Sequence, residues 1–263
     1  MINNIFEQEY KKLLLSTLEK GTLDINRTDV KTFKVFNKQI NINLTNGFPI
    51  LTGKKIFFDK ALSEFKWIFE GKTDLEYLHE NKIFWWDEFA VDGKLGKVYG
   101  YQIKNFNGLF NQIEYVKNEI TNNSRRAIIT LWNPSDLKEQ VLPCCYTQFN
   151  FVRIKNELNM TMHFRSSDLF LGLPYDIIVG ALFLHTIAKD CSLKPVSLGI
   201  NIADAHIYES HVNAVKEQLN RSSSIFPQLV LKETIKNIDE IREEWFDIVN
   251  YNPMSSIKAP MIT

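Results

Sequence analysis

The sequence predicts an α+β fold in a single domain. Some stretches alternate apolar and polar residues at strand period, while others carry apolar residues at helical spacing. The helical stretches do not recur regularly between the strands, as a βαβ array would require. With 263 residues, 44% of them hydrophobic, the chain can bury one large core or two modest ones. No linker rich in Gly, Pro or Ser divides it, so residues 1–263 read as one domain.

The elements follow in order. From Ile5 to Lys20 the apolar positions Phe6, Tyr10, Leu13, Leu14 and Leu18 fit one helix, and Gly21 is a plausible stop. Alternation from Thr32 to Leu44 predicts two strands around Asn37-Lys38. Asp59–Phe69 reads as a helix closed by Gly71, followed by a shorter one near Leu75–Asn81. Gly93–Gly100 is a glycine-bearing loop, and a helix runs from about Phe110 to Asn122. Ala127–Trp132 reads as a buried strand, and Cys144–Arg153 and Met160–Arg165 as strands flanking a turn at Lys155-Asn156-Glu157. Pro174 sits where proline is favoured, in the first turn of a long apolar helix reaching about Lys189. Val196–Ile207 reads as a strand and Ser210–Leu219 as a helix. There is no internal repeat or low-complexity tract.

Composition narrows the function classes. Lys plus Arg and Asp plus Glu both total 31, so no basic excess marks a duplex-DNA binder, although one local anion pocket remains possible. Of the three cysteines, Cys144 and Cys145 are adjacent, which is poor geometry for an ordinary disulfide, and no spacing suits a metal site. The start Met1-Ile2-Asn3-Asn4 lacks the regions of a secretory signal, and no apolar run reaches the length of a membrane span. A soluble, cytoplasmic protein without metal or membrane partner is the expectation.

Several chemically distinct motifs occur in a fixed order. They are Asn46-Gly47-Phe48-Pro49 with Thr52 and Lys54, Tyr77-Leu78-His79-Glu80-Asn81, Trp86-Asp87-Glu88, Val98-Tyr99-Gly100 and Ser124-Arg125-Arg126. Leu142-Pro143-Cys144, the run Arg165–Pro174, Asp204-Ala205-His206-Ile207-Tyr208 and Ile257-Lys258-Ala259-Pro260 complete the set. Together they resemble the thymidylate synthase family over essentially the full length. The resemblance implies a large mixed sheet packed with helices, a homodimer joined through that sheet, and 5,10-methylenetetrahydrofolate as one-carbon donor.

C5 of a pyrimidine is a poor nucleophile until something adds to C6, and a thiolate both adds and leaves well. A cysteine beside proline is by itself usually a small buried hydrophobe; the surrounding motif makes Cys144 the expected nucleophile. The resemblance implies a phosphate site of Arg27, Arg165 and Ser166, with Arg125 and Arg126 reaching into a neighbouring subunit to make composite active sites. The planar fork of arginine suits such an anion. It also implies that His206 and Tyr208 hold the sugar, that Glu64 and Tyr99 handle protons, and that Lys54, Trp86, Asp168, Gly172 and Tyr175 receive the folate. Trp67 and Trp85 read as core packing.

One departure bears on the substrate. Where the family has Asn after Leu-Pro-aromatic, this chain has Asp176. An amide answers the O4 acceptor and N3 donor of uracil, whereas a carboxyl group suits the amino donor and N3 acceptor of cytosine. Cys145, Phe164 and Phe89 replace a usual His, Gln and Trp, and the loop at residues 27–32 lacks the usual glycine-rich run. This pattern resembles the cytidylate branch of the family. The expected reaction is 5-hydroxymethylation of a cytosine nucleotide monophosphate, dCMP favoured over CMP, with water capturing an exocyclic methylene at C5. The alternatives are a methylating enzyme, acting on dUMP or dCMP, and a non-catalytic nucleotide- or RNA-binding protein.

Overall fold

The computed structural model describes residues 4–25, 29–232 and 240–262. It opens on α1 (Ile5–Lys20), where the Asn4 side chain accepts the Glu7 N–H at 3.1 Å as an N-cap. Gly21 ends the helix as expected, its N–H donating to Thr17 O at 2.9 Å. A short strand β1 (Thr22–Ile25) then pairs with β2 (Lys31–Asn43).

Thr32–Leu44 does not form two strands. β2 is continuous, and Asn37 takes a left-handed φ of 52° without changing the register, Phe36 facing Asp204 and Lys38 facing Ile202. Asparagine tolerates that conformation better than most residues, so a turn-like dipeptide is absorbed inside a strand.

Four helices follow: α2 (Phe58–Phe69), α3 (Glu76–Glu80), α4 (Tyr99–Lys104) and α5 (Gln112–Thr121). The strands β3 (Ile128–Thr130), β4 (Tyr146–Ile154) and β5 (Glu157–Asp168) precede the long helix α6 (Gly172–Asp190). The chain continues through β6 (Lys194–Tyr208), α7 (Val212–Asn220), β7 (Gln228–Leu231) and β8 (Phe246–Val249). The last two form a separate hairpin.

The main sheet has the order β1-β2-β6-β5-β4-β3. All its pairings are antiparallel except β5 with β6, which α6 connects as a single βαβ unit. The sheet is therefore mixed, as expected.

Register gives the sheet two unlike faces. Ile40, Ile200, Met162 and Phe149 fall on one cross-strand row, and Ile42, Leu198, Met160 and Phe151 on another. All are buried. Alternating with them are rows of the opposite character: Gln39, Asn201, His163 and Gln148, then Asn41, Gly199, Thr161 and Asn150. This is the period-2 alternation of the sequence made physical. On the apolar face α6 packs closely. A Cβ built on Gly180 would lie 2.1 Å from Met162 Sδ, so a bare backbone is what lets helix and strand meet. The rings of Phe65, Phe69 and Phe149 surround Phe183 of α6 at centroid distances of 5.2, 5.1 and 5.1 Å.

Candidate active site

The apolar face of the sheet turns polar at the ends of the parallel pair. Ser166 and Asp168 of β5 face Asp204 and His206 of β6 in register, and Tyr208 lies two residues on. Ligand sites commonly form at the carboxyl ends of parallel strands. A pocket of about 240 Å³ opens there, lined by Arg165, Ser166, Asp168, His206 and Tyr208. Lys34, Phe89, Cys145 and Asp204 also border it, and so does Ile262 near the C-terminus.

Cys144 is buried just before β4. Arg165 fixes its backbone: Nε donates to Cys144 O at 3.1 Å, Nη2 to Pro143 O at 2.7 Å, and Nη2 also approaches Cys145 Sγ at 3.8 Å. Burial pushes the Cys144 thiol up to about 12, although the Tyr99 contact and Arg165 pull the other way. The resting side chain is therefore a thiol.

Tyr99 opens α4, and its hydroxyl oxygen accepts the Cys145 N–H at 2.8 Å. Its ring packs 4.6 Å from Tyr146 and 5.8 Å from Trp86. Glu64 lies on the buried face of α2, where Oε1 accepts both indole N–H groups, from Trp85 at 3.0 Å and Trp86 at 2.7 Å. Burial raises the Glu64 pKa and the two indoles oppose the rise. Trp85 is thus a polar partner of Glu64 as well as a packing residue. Trp67 is core as expected, its indole N–H donating to Asp74 O at 2.8 Å.

Asp176 and Gly172 are four residues apart on α6, so they share a helix face; Asp176 Oδ2 lies 3.9 Å from where a Gly172 Cβ would be. Burial raises the Asp176 pKa well above the carboxylate range, and the carboxyl groups of Glu64 and Asp168 add to it. Asp168 behaves oppositely. Burial would raise it too, but His211 and the Phe170 N–H hold it low. Its carboxylate accepts the N–H of Phe170 at 2.9 Å and of Leu171 at 3.3 Å. Two carboxyl groups pushed up by burial beside one held low is an arrangement suited to proton handling.

Of the expected residues, Arg165, Ser166, Asp168, His206 and Tyr208 line this pocket. Gly172 and Tyr175 lie in the first turn of α6, with Tyr175 5.4 Å from Trp85, while Trp86 packs against Tyr99 and donates to Glu64. These aromatic walls and the ionised Asp168 fit a flat, hydrogen-bonding ring system such as a pterin. Lys54 is buried nearby, donating to Phe170 O at 2.5 Å with Nζ 3.8 Å from the Phe170 ring centroid. Burial lowers its pKa to about 7, against the pull of Asp168. Its direct contacts are thus internal. Arg125 and Arg126 lie exposed in the loop before β3, at the sheet edge beyond β4, and do not line the pocket. Arg27 lies outside the described residues.

The sequence assigned no role to Lys34, His211 or Ile262, nor to Asp204 within its motif. Lys34 faces His206 in register, so strand alternation could have found it. Asp204 stands two residues before His206, which signals a shared face. Among the described residues no group of three or more His, Cys, Asp or Glu is arranged to hold a metal ion, and no helix is long and apolar enough to cross a membrane.

Comparison with known proteins agrees with this geometry. A family model described as Thymidylate synthase matches residues 8–263. A protein of Malacoplasma penetrans (strain HF-2) named thymidylate synthase is 37% identical over 285 residues, covering 96% of this chain and 98% of its own. The chain belongs to the thymidylate synthase family, a family of folate-dependent one-carbon transferases.

Proposed function

We propose that this protein transfers a one-carbon unit to C5 of a cytosine nucleotide monophosphate, dCMP in preference to CMP. The observation that carries the substrate half of this reading is Asp176. Burial and the neighbouring Glu64 both favour its protonated form, in which the carboxyl group offers an O–H donor to cytosine N3 and a carbonyl acceptor to the 4-amino group. Uracil presents the reversed pattern, which a site built for the first rejects strongly.

The remaining roles follow the geometry. Cys144 adds to C6, with Arg165 holding the backbone that carries it. Arg165 and Ser166 face the phosphate, and His206 and Tyr208 the sugar. Bound methylenetetrahydrofolate supplies the carbon, and Trp86, Tyr175, Gly172 and Asp168 form its seat. Glu64 and Tyr99 hold and move protons beside the base. Arg125 and Arg126, exposed away from their own pocket, serve a second copy of the chain, docked on the polar face of the sheet.

Two products are open to this chemistry. Water capture gives the hydroxymethyl nucleotide expected from sequence. Capture of a hydride from the tetrahydrofolate, which is oxidised to dihydrofolate, gives a methyl nucleotide, and two observations favour this second reading: the relative named thymidylate synthase, and the buried indole of Trp86, which keeps an apolar wall beside Glu64.

The test is a product assay. The protein is incubated with methylenetetrahydrofolate and dCMP, CMP or dUMP, and the nucleotide is identified by mass. A modified cytosine nucleotide supports the reading, and its mass together with the presence or absence of dihydrofolate decides the product. Turnover of dUMP alone overturns the role given to Asp176.

A further inference from the structure

His211 sits in the turn between β6 and α7, fully buried, and it joins two parts of the chain far apart in sequence. Nε2 lies 2.7 Å from the carbonyl oxygen of Pro260, so Nε2 carries a proton and donates it. Nδ1 faces Asp168 Oδ1 at 3.7 Å, an ion-pair distance but too long for a hydrogen bond. A neutral imidazole donating from Nε2 would turn the Nδ1 lone pair toward an ionised carboxylate. Only the imidazolium satisfies both neighbours.

The other groups around it are Lys54 and the N-terminus of α7, whose charges oppose a cation, and the rings of Phe170 and Tyr208, at 5.7 and 5.3 Å. Asp168 outweighs them. Burial would lower the His211 pKa, yet the carboxylate and the Pro260 carbonyl raise it above its ordinary value. Both ends of this link reach the pocket: Asp168 lines it directly, and Ile262, two residues after Pro260, borders it.

We propose that His211 is a positioning residue that ties the C-terminal segment to Asp168 while protonated, and so sets the wall of the pocket formed by Ile262. The catalytic consequence rests on the folate-dependent reading above; the hold on the segment does not. When His211 loses a proton it keeps only one of its two contacts. If Nε2 keeps the proton, Nδ1 repels Asp168; if Nδ1 takes it, the Pro260 carbonyl is released. The folded pKa is raised, so the link is complete below about pH 6.5, the ordinary histidine value, and weakens as pH rises through the folded value.

The experiment is release of C-terminal residues by a carboxypeptidase from the ligand-free, full-length protein between pH 6 and 9. A peptide of the same C-terminal sequence corrects for the protease itself. Corrected release should accelerate about tenfold with rising pH, the effect of losing one charged hydrogen bond. His211→Leu should release fast throughout with no residual pH dependence. His211→Gln keeps a donor for Pro260 without the charge, so it should restore the slow release but not the pH response. In turnover, both variants should raise the KM for the folate more than they lower kcat. Release from the wild-type protein that follows the peptide at every pH overturns the proposal, as does a wild-type pH response in His211→Gln. Absence of turnover on any nucleotide would instead count against the proposed function, and the release measurement would stand apart from it.

Discussion

The hydroxyl oxygen of Tyr99 accepts the backbone N–H of Cys145 at 2.8 Å, so the phenol is locked against the peptide that follows the nucleophile. Tyr99→Phe keeps the ring and removes the acceptor. Thermal unfolding should show a loss of about 1 kcal/mol, the net value of one such bond. Steady-state turnover should fall roughly 100-fold if the same oxygen relays a proton during the reaction. A variant with normal turnover would confine Tyr99 to a structural role.

Cys144 rests as a thiol because burial pushes it up to about 12. Alkylation by iodoacetamide should therefore be slow at pH 7 and rise roughly tenfold per pH unit to pH 9, since only the thiolate reacts. Peptide mass mapping separates Cys144 from the half-buried Cys145. Cys144→Ala should abolish turnover while nucleotide binding, read by calorimetry, persists.

The raised pKa of Glu64 has a stability consequence with a definite sign. A buried carboxyl group whose folded pKa lies above its unfolded value costs stability as pH rises past the unfolded value. Glu64→Gln keeps an acceptor for the two indoles and cannot ionise. It should unfold at the same or a higher temperature than wild type at pH 8, while turnover falls about 100-fold or more. A marked drop in melting temperature would show that the charge itself holds the indoles.

Asp176→Asn replaces a donor–acceptor pair suited to cytosine with the amide suited to uracil. The ratio of kcat/KM for dUMP over dCMP should rise by several powers of ten. Retained preference for the cytosine nucleotide would end the base-reading argument.

Arg126→Glu and Cys144→Ala should each be inactive as pure proteins. Mixed in equal amounts and allowed to exchange subunits, they should recover about a quarter of wild-type activity, because half of the pairs carry one intact composite site. No recovery despite subunit exchange would place Arg126 outside the active site.

The long elements were legible because their periods repeat often enough to be read. α1 is found at the expected bounds, and the two buried rows of the sheet are the alternation seen in the sequence. β1, β7 and β8 were missed, since four residues give no usable period, and so was the six-residue α4, which begins at Tyr99 inside the stretch expected to be a loop. Of the motif residues, Arg165, Ser166, Asp168, His206 and Tyr208 line one pocket, and Cys144 lies buried behind it with its carbonyl held by Arg165. Trp85 packs as expected, but its second role was hidden, because its N–H partner Glu64 lies 21 positions away. The same limit hid His211, whose partners Asp168 and Pro260 meet only in the fold. Lys54 shows the converse, a motif residue whose direct contacts turn inward to Phe170.

Gly180 stands one helical turn after Asp176, and it is where α6 rests on Met162. A methyl group there would force the buried sulfur into another position or make the helix ride up from the sheet. The carboxyl group proposed to read the base would ride with it. On that proposal choice of substrate is partly a matter of elevation: the side chain that would tell one pyrimidine from another has its height above the sheet set by a neighbour that has none.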